Sequence, residues 1–363
     1  MTDCLVVGAG LNGFLVAREL AQAGARVTVL ERGQFGREAS WAGGGILSPL
    51  YPWRYPDAVT ELVEWSQRRW PELCAELEYS TGIACEWTRS GLLLLAVDDE
   101  PAARAWAKQH AAPLAAVDAA DVQLIEPKLA GAHANALWLE HVAQLRNPRV
   151  LRALLQDLIQ RGVALFAETE ASNLLMESDR VIGVRANDQD FRAEHVIVTA
   201  GAWTSGLLGA VAPKVRIEPV RGQMLLLRGE PGWLKHIVLR DGYYLIPRRD
   251  GRVLAGSTLE YVGFDRTPTV AARAELHARA LALVPDLVRA EVEMHWAGLR
   301  PGTAHGIPYI DRVAPFENLW LNAGHFRNGV VMAPAAARLT VDLILGRACV
   351  VNSAPYRIAS QLH

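Results

Sequence analysis

Apolar residues follow two rhythms along the 363-residue chain, and the change from one to the other marks its elements. A short apolar run, Cys4–Val7, leads into GAGLNG, then a stretch of helical period from Leu11 to Ala23, then a second run, Arg26–Leu30. Short apolar runs bounded by glycine suit strands, and apolar residues three and four apart suit a helix, so the chain opens as strand, turn, helix, strand. Gly24 stands where a left-handed C-terminal cap belongs. Helical spacing returns from Pro56 to about Leu77, and strand-like runs follow at Ala84–Trp87 and Leu92–Val97. Asn147 before Pro148 predicts a helix running to Arg161, with Asn147 accepting a backbone donor and Pro148 in the first helical position. Further strands are predicted at Ala164–Phe166, Val181–Ala186 and His195–Thr199, the last entering a second glycine turn, TAGAW.

From Lys214 to Gly256 the runs Met224–Leu227, Ile237–Leu239, Tyr243–Ile246 and Arg252–Ala255 are separated by Gly and charged turns, which suits an antiparallel sheet. A helix at Val270–Leu283 and a strand at Val292–Ala297 precede GLRPGT, a strand Trp320–Asn322, the turn GHFRNG and a helix Val330–Leu345. Parallel-type strands near both termini and in the middle, with mixed strands between, predict a discontinuous α/β nucleotide domain over 1–80, 141–213 and 298–363. An α+β substrate domain with a mixed, largely antiparallel β-sheet takes 81–140 and 214–297. A chain this long exceeds one ordinary core, in keeping with two domains.

Hydrophobic residues at 51% and charged residues at 21% describe a globular protein. A net charge of −2 with scattered Lys and Arg argues against a nucleic-acid partner. Cys4, Cys74, Cys85 and Cys349 are too few and too irregular for a disulfide framework or a zinc set, and read as buried thiols of a reducing compartment. No basic, apolar leader opens the sequence and no run approaches the ~20 apolar residues of a membrane span. A cytoplasmic protein is expected. The histidines, His141 and His295 among them, show no ligand spacing, and Trp53, Trp65 and Trp70 read as packing residues.

Gly8, Gly10 and Gly13 form GxGxxG between a strand and a helix, the context in which it binds a dinucleotide. Gly8 permits the turn, Gly10 the approach of a pyrophosphate, and Gly13 close helix–strand packing, while the helix N-terminus offers free amides to the phosphates. Glu31 ends the second strand, where a carboxylate meets ribose hydroxyls. That motif does not separate NAD from FAD. ASWAGGGIL, Ala39–Leu47, favours FAD, because three bare glycines let a flat ring lie against the chain.

The order GAGLNG, ER, SWAGGG, VIVTAGAW, GLRPGT and GHFRNG resembles the glycine oxidases, which stand with D-amino-acid oxidase and monomeric sarcosine oxidase. The resemblance implies a Rossmann-like, glutathione-reductase-like FAD-binding domain, a homo-oligomer, often a tetramer, and a part in thiazole synthesis for thiamine. Carried over by position, FAD contacts fall on Leu11, Asn12, Glu31, Arg32, Ala39 and Ser40, with Gly44, Gly45 and Ile46 bordering the ring and Ala171 near the adenosine end. His325, Phe326, Arg327, Asn328, Gly329, Val330 and Val331 close over the flavin. Gly329 opens a helix whose positive end faces the flavin edge that becomes anionic on reduction. Arg300 in GLRPGT grips the substrate carboxylate with its planar fork, Arg327 lies beside it, and Tyr244 sits over the substrate. Gly242 stands where the best-known relative has a larger polar residue, which leaves pocket volume open. No cysteine adjoins GHFRNG, so the FAD is expected to be non-covalent.

The expected reaction is oxidative deamination of glycine, sarcosine, N-ethylglycine or a small D-amino acid by oxygen, giving a 2-oxo acid, ammonia or an amine, and hydrogen peroxide. Neither a general acid nor a general base is expected, since the cofactor carries the chemistry. A dehydrogenase passing electrons to a quinone or carrier would share these motifs. A tRNA-modifying flavoprotein shares the fold, though the lack of a basic patch stands against it. A non-catalytic flavin-binding protein is a third class, against which Arg300 and Arg327 stand.

Overall fold

The computed structural model describes residues 2–209 and 211–361. It contains two eight-stranded sheets and a two-stranded ribbon. In the first sheet Thr2–Val7 pairs in parallel with Val27–Leu30 on one side and Gln189–Val198 on the other. Ala164–Phe166 and Leu319–Ala323 extend it in parallel, and Tyr309–Arg312 adds an antiparallel edge. Successive side chains of Thr2–Val7 enter opposite layers: Val6 packs under the helices, whereas Leu5 and Val7 pack into a second cluster with Val184 and Leu208. Burial on both faces is what a continuous apolar strand requires. Helices Leu11–Gln22, Asp57–Thr81, Asn147–Gln160 and Gly329–Ile344 cover one face, with Trp70 wholly buried among them. Gly24, at φ +91°, follows the first helix as expected.

The second sheet runs in the order Glu291–Gly302, Glu218–Arg228, Arg252–Gly256, Tyr243–Pro247, Ile237–Arg240, Leu92–Leu95, Ala136–Leu139, Ala115–Val117. Only the pairing of Ile237–Arg240 with Leu92–Leu95 is parallel. Alternation again sorts the side chains: Leu93 and Leu95 pack toward helix Val270–Leu283, while Leu92 and Leu94 join Tyr244 and Ile246 on the other face. Tyr243 lies on the first of these faces, with its hydroxyl on Glu275 at 2.7 Å.

Several expectations are corrected. Ala84–Trp87 is irregular, and the strand begins at Thr88, because Glu86 takes a left-handed backbone conformation, φ +55°, that breaks the extended run. The strand expected to end at Ala297 continues through Arg300 to Gly302, held by full pairing with Glu218–Arg228. Helices Glu100–Gln109 and Ala119–Ile125 and the strands Ala115–Val117, Ala136–Leu139 and Tyr309–Arg312 were not foreseen. Cys4, Cys74 and Cys85 are buried free thiols, but Cys349 is exposed.

Candidate active site

The carboxyl ends of the parallel strands open into a cavity of about 610 Å³, bordered by Val7, Leu30, Thr199 and Ala323. Ligands of open α/β sheets bind at such ends. Gly8 holds φ +107°, and a Cβ there would stand 2.6 Å from the Thr199 carbonyl oxygen. A Cβ on Gly13 would collide with the Gly8 carbonyl, so Gly13 serves the packing beneath the turn and does not line the cavity. Gly10 and Asn12 line the cavity, and Leu11 donates its N–H to the Ser40 hydroxyl at 2.9 Å. Glu31 is buried and accepts the N–H groups of Ala9 (2.8 Å) and Gly33 (3.0 Å). Burial raises its pKa, and those two bonds oppose the rise. Arg32 lies over the Trp203 ring at 4.5 Å, and Ala171 borders the far end with Thr169 and Asn187.

The glycine run is fixed by side chains that the sequence did not assign. Asn147 does not cap its helix; its Nδ2 donates to the carbonyls of Ser40 (2.8 Å) and Gly43 (3.0 Å). Arg248 donates to the carbonyls of Gly44 (2.7 Å) and Leu145 (3.0 Å) and to Gln144 Oε1 (2.5 Å). Burial draws the Arg248 pKa down to about 10. The Trp296 indole donates to Ala42 O at 3.1 Å. Gly44 must be bare, since a Cβ would meet Ile246 Cδ1 at 2.7 Å, and Gly45 takes φ +80° with Asn147 Oδ1 2.5 Å from its would-be Cβ.

Beside this loop lies a pocket of about 80 Å³, bordered by Ile46, Met224, Tyr244, Ser257, Arg300 and Arg327. Arg300 donates Nη1 to Thr258 O (3.1 Å) and Nη2 to Ser257 Oγ (2.7 Å), and burial lowers its pKa. Tyr244 donates to Met224 Sδ at 3.2 Å. Gly242 lies outside the pocket in a turn at φ +78°, and its N–H donates to the Tyr51 hydroxyl at 3.1 Å. The glycine there answers a backbone need.

His325, Phe326, Arg327, Gly329 and Val330 border the large cavity, Asn328 borders the small one, and Gly329 begins the last helix. Val331 instead turns into the helical core, because the helix places it one position past the exposed edge. Thr199 to Trp203, Met224 and Ser257 also line the cavities without having been assigned. TAGAW was the only signal among them, as a glycine turn after a strand.

The buried polar atoms Asn12 Oδ1, His325 Nε2 and Asn328 Nδ2 have no hydrogen-bond partner among the described residues. Buried polar groups are normally paired, so three such atoms on residues bordering the two adjoining cavities fit a bound group rich in hydrogen-bonding atoms. Bare turn, buried acid, glycine floor and helix end match FAD in order along the cavities.

A family model described as FAD dependent oxidoreductase matches residues 3–343. A glycine oxidase of Pseudomonas aeruginosa is 47% identical over 99% of this chain and 99% of its own length. A bifunctional protein ThiO/ThiG of Trichormus variabilis is 30% identical over 94% of this chain and 52% of that protein. The crystal structure of glycine oxidase from Geobacillus kaustophilus superposes with a TM-score of 0.93 at 29% identity, covering 98% of each chain. The chain therefore belongs to the FAD dependent oxidoreductases, among relatives of the glycine oxidase type.

Proposed function

We propose that the protein oxidatively deaminates glycine and related small amines, with oxygen as electron acceptor and glyoxylate, ammonia and hydrogen peroxide as the products from glycine. The observation that carries this reading is the arginine-walled pocket of about 80 Å³ against the glycine floor, small enough to select small amino acids. FAD, when bound, supplies the two-electron acceptor.

Arg300 takes the substrate carboxylate: its guanidinium has only neutral partners, so its charge is available to an anion. Arg327 adds a second positive charge to the pocket lining, and Tyr244 lines the same pocket beside the carboxylate ligand. Glu31 holds ribose hydroxyls, and Gly8, Gly10, Leu11 and Asn12 hold the pyrophosphate. Ala39, Ser40, Gly44, Gly45 and Ile46 would hold the ring together with the turn from His325 to Val330, where Gly329 would offer it the positive end of a helix. Arg32 and Ala171 flank the adenosine end.

The chain divides into a nucleotide-binding part, 1–80, 141–213 and 298–363, and a substrate part, 81–140 and 214–297; the two sheets support this division except at 298–302, which stay paired within the second sheet. A homotetramer in the cytoplasm rests on the resemblance, and light scattering tests the assembly. A part in thiazole synthesis for thiamine agrees with the fused ThiO/ThiG relative.

The test is Arg300→Ala in an aerobic peroxide assay. Losing a charge-assisted pair costs about 3–5 kcal/mol, or roughly 10²- to 4 × 10³-fold in kcat/KM. An unchanged KM for glycine with flavin retained refutes the assignment.

A further inference from the structure

Gly222 lies in the middle of strand Glu218–Arg228, opposite Gly298, and is not among the glycines with positive φ. Its backbone does not demand glycine. A glycine inside a strand costs roughly 0.5–1 kcal/mol against alanine, so its presence calls for something close above it. What stands there is the head of Arg300: a Cβ on Gly222 would collide with Nη1, Cζ and Nη2 together.

The sheet explains the contact. Arg300 is paired with Val220, and a long side chain leaning along its strand reaches the position two residues further on the same face, which is 222. The guanidinium thus lies over Gly222, while the space above the paired Gly298 is taken by Ala42. From the side, Thr258 O and Ser257 Oγ fix its rotation in the plane through one N–H on each terminal nitrogen. Arg300 and Gly222 both line the small pocket, where the guanidinium's remaining donors can meet a substrate.

We propose that Gly222 is a positioning residue for substrate recognition, its bare α-carbon being the seat that sets the height of the Arg300 guanidinium in the pocket. This rests on the reading of Arg300 as the carboxylate ligand. A methyl group at 222 lifts the guanidinium, and the two neutral oxygens and the incoming carboxylate cannot then all be met. The substrate lost is any small carboxylate, whether or not it carries an amine.

The test uses FAD-loaded Gly222→Ala, Arg300→Lys and the double variant, with acetate as the probe. Acetate binding is followed through the visible flavin spectrum, glycine turnover by peroxide, and stability by the thermal midpoint. Gly222→Ala is expected to weaken acetate about tenfold and raise the glycine KM by a similar factor, the loss of one charge-assisted hydrogen bond, with kcat changed less. In the Arg300→Lys background the same alanine should change acetate binding and midpoint less than about twofold and two degrees, because a lysine head is narrower than the guanidinium plane. Equal losses in both backgrounds, or unchanged acetate binding in the arginine background, overturn the proposal. If Gly222→Ala alone fails to hold FAD, the double variant decides: holding FAD as well as Arg300→Lys supports the seat, and failing alongside Gly222→Ala overturns it. Should Arg300→Ala leave KM unchanged, the reading of Arg300 itself falls, an outcome separate from these.

Discussion

Replacing Asn147 by Asp separates two roles that the same side chain could play. As a helix cap, Asp is as good as Asn, and its charge at a helix N-terminus adds roughly 0.3–1 kcal/mol in favour. In the structure, however, Asn147 uses its amide N–H groups on the carbonyls of Ser40 and Gly43, at 2.8 and 3.0 Å. A carboxylate cannot donate, and it would set its own oxygens against those two. Two hydrogen bonds of about 1 kcal/mol each are lost, and leaving carbonyls unmet raises the total to roughly 2–4 kcal/mol. The loss falls on the loop that carries the glycine floor, so it should be read in FAD affinity. At 1.4 kcal/mol per tenfold, the dissociation constant rises roughly 30- to 700-fold. Apoprotein of wild type, Asn147→Asp and Asn147→Ala is titrated with FAD, following flavin fluorescence. The expectation is that both variants weaken FAD, Asp at least as much as Ala. Normal FAD affinity in Asn147→Asp, with only Asn147→Ala destabilised, would refute the reasoning and restore the cap.

Two further predictions concern a buried histidine at the site and an exposed glycine away from it. His325 is 3% exposed, and burial draws its pKa down to about 3. The unfolded chain, with a histidine pKa near 6.5, binds a proton that the native site refuses. Stability from this group is therefore complete above about pH 6.5 and lost as pH falls toward 3, at about 1.4 kcal/mol per pH unit. His325→Asn should flatten the fall of the thermal midpoint between pH 6 and 4 by one proton's worth, and identical slopes would count against it. Gly24 holds φ +91° with nothing within 4 Å of its would-be Cβ, so Gly24→Ala introduces backbone strain alone. About 1–2 kcal/mol of stability should disappear with FAD affinity unchanged, as measured by denaturant midpoint and flavin titration.

Elements whose burial is two-sided were legible because their sequence is nearly all apolar. Thr2–Val7 and Leu92–Leu95 face a core on both sides, and their runs show it. Ala115–Val117 and Ala119–Ile125 are largely exposed, so no apolar period betrays them. The glycine turn was readable because its demand is local, a backbone angle at Gly8 and a contact at Gly13. Asn147 was misread for the opposite reason. Its partners Ser40 and Gly43 are about a hundred residues away, and a pattern beside Pro148 points only to the nearest backbone. Arg248 and Gly222 carry the same lesson, since each answers to a residue brought near by the sheet.

Long-range pairing also bears on the role proposed for Arg300. The acid linked to it through Thr258 is Glu260, and that carboxylate is held by Arg221 (2.6 Å), by Gln223 Nε2 (2.8 Å) and by the Thr258 hydroxyl. Asp265 is likewise taken by Arg221, at 2.5 Å. One buried arginine thus occupies the acids of the neighbourhood, and the second is left with neutral oxygens only. A free carboxylate beside Arg300 would compete with substrate and hold the guanidinium turned away. Without one, the desolvated charge is compensated only when a carboxylate enters, and attraction in a site of low dielectric is much stronger than in water. On the proposed reading of the pocket, Arg221 contributes to its selectivity for acids by occupying Glu260 and Asp265.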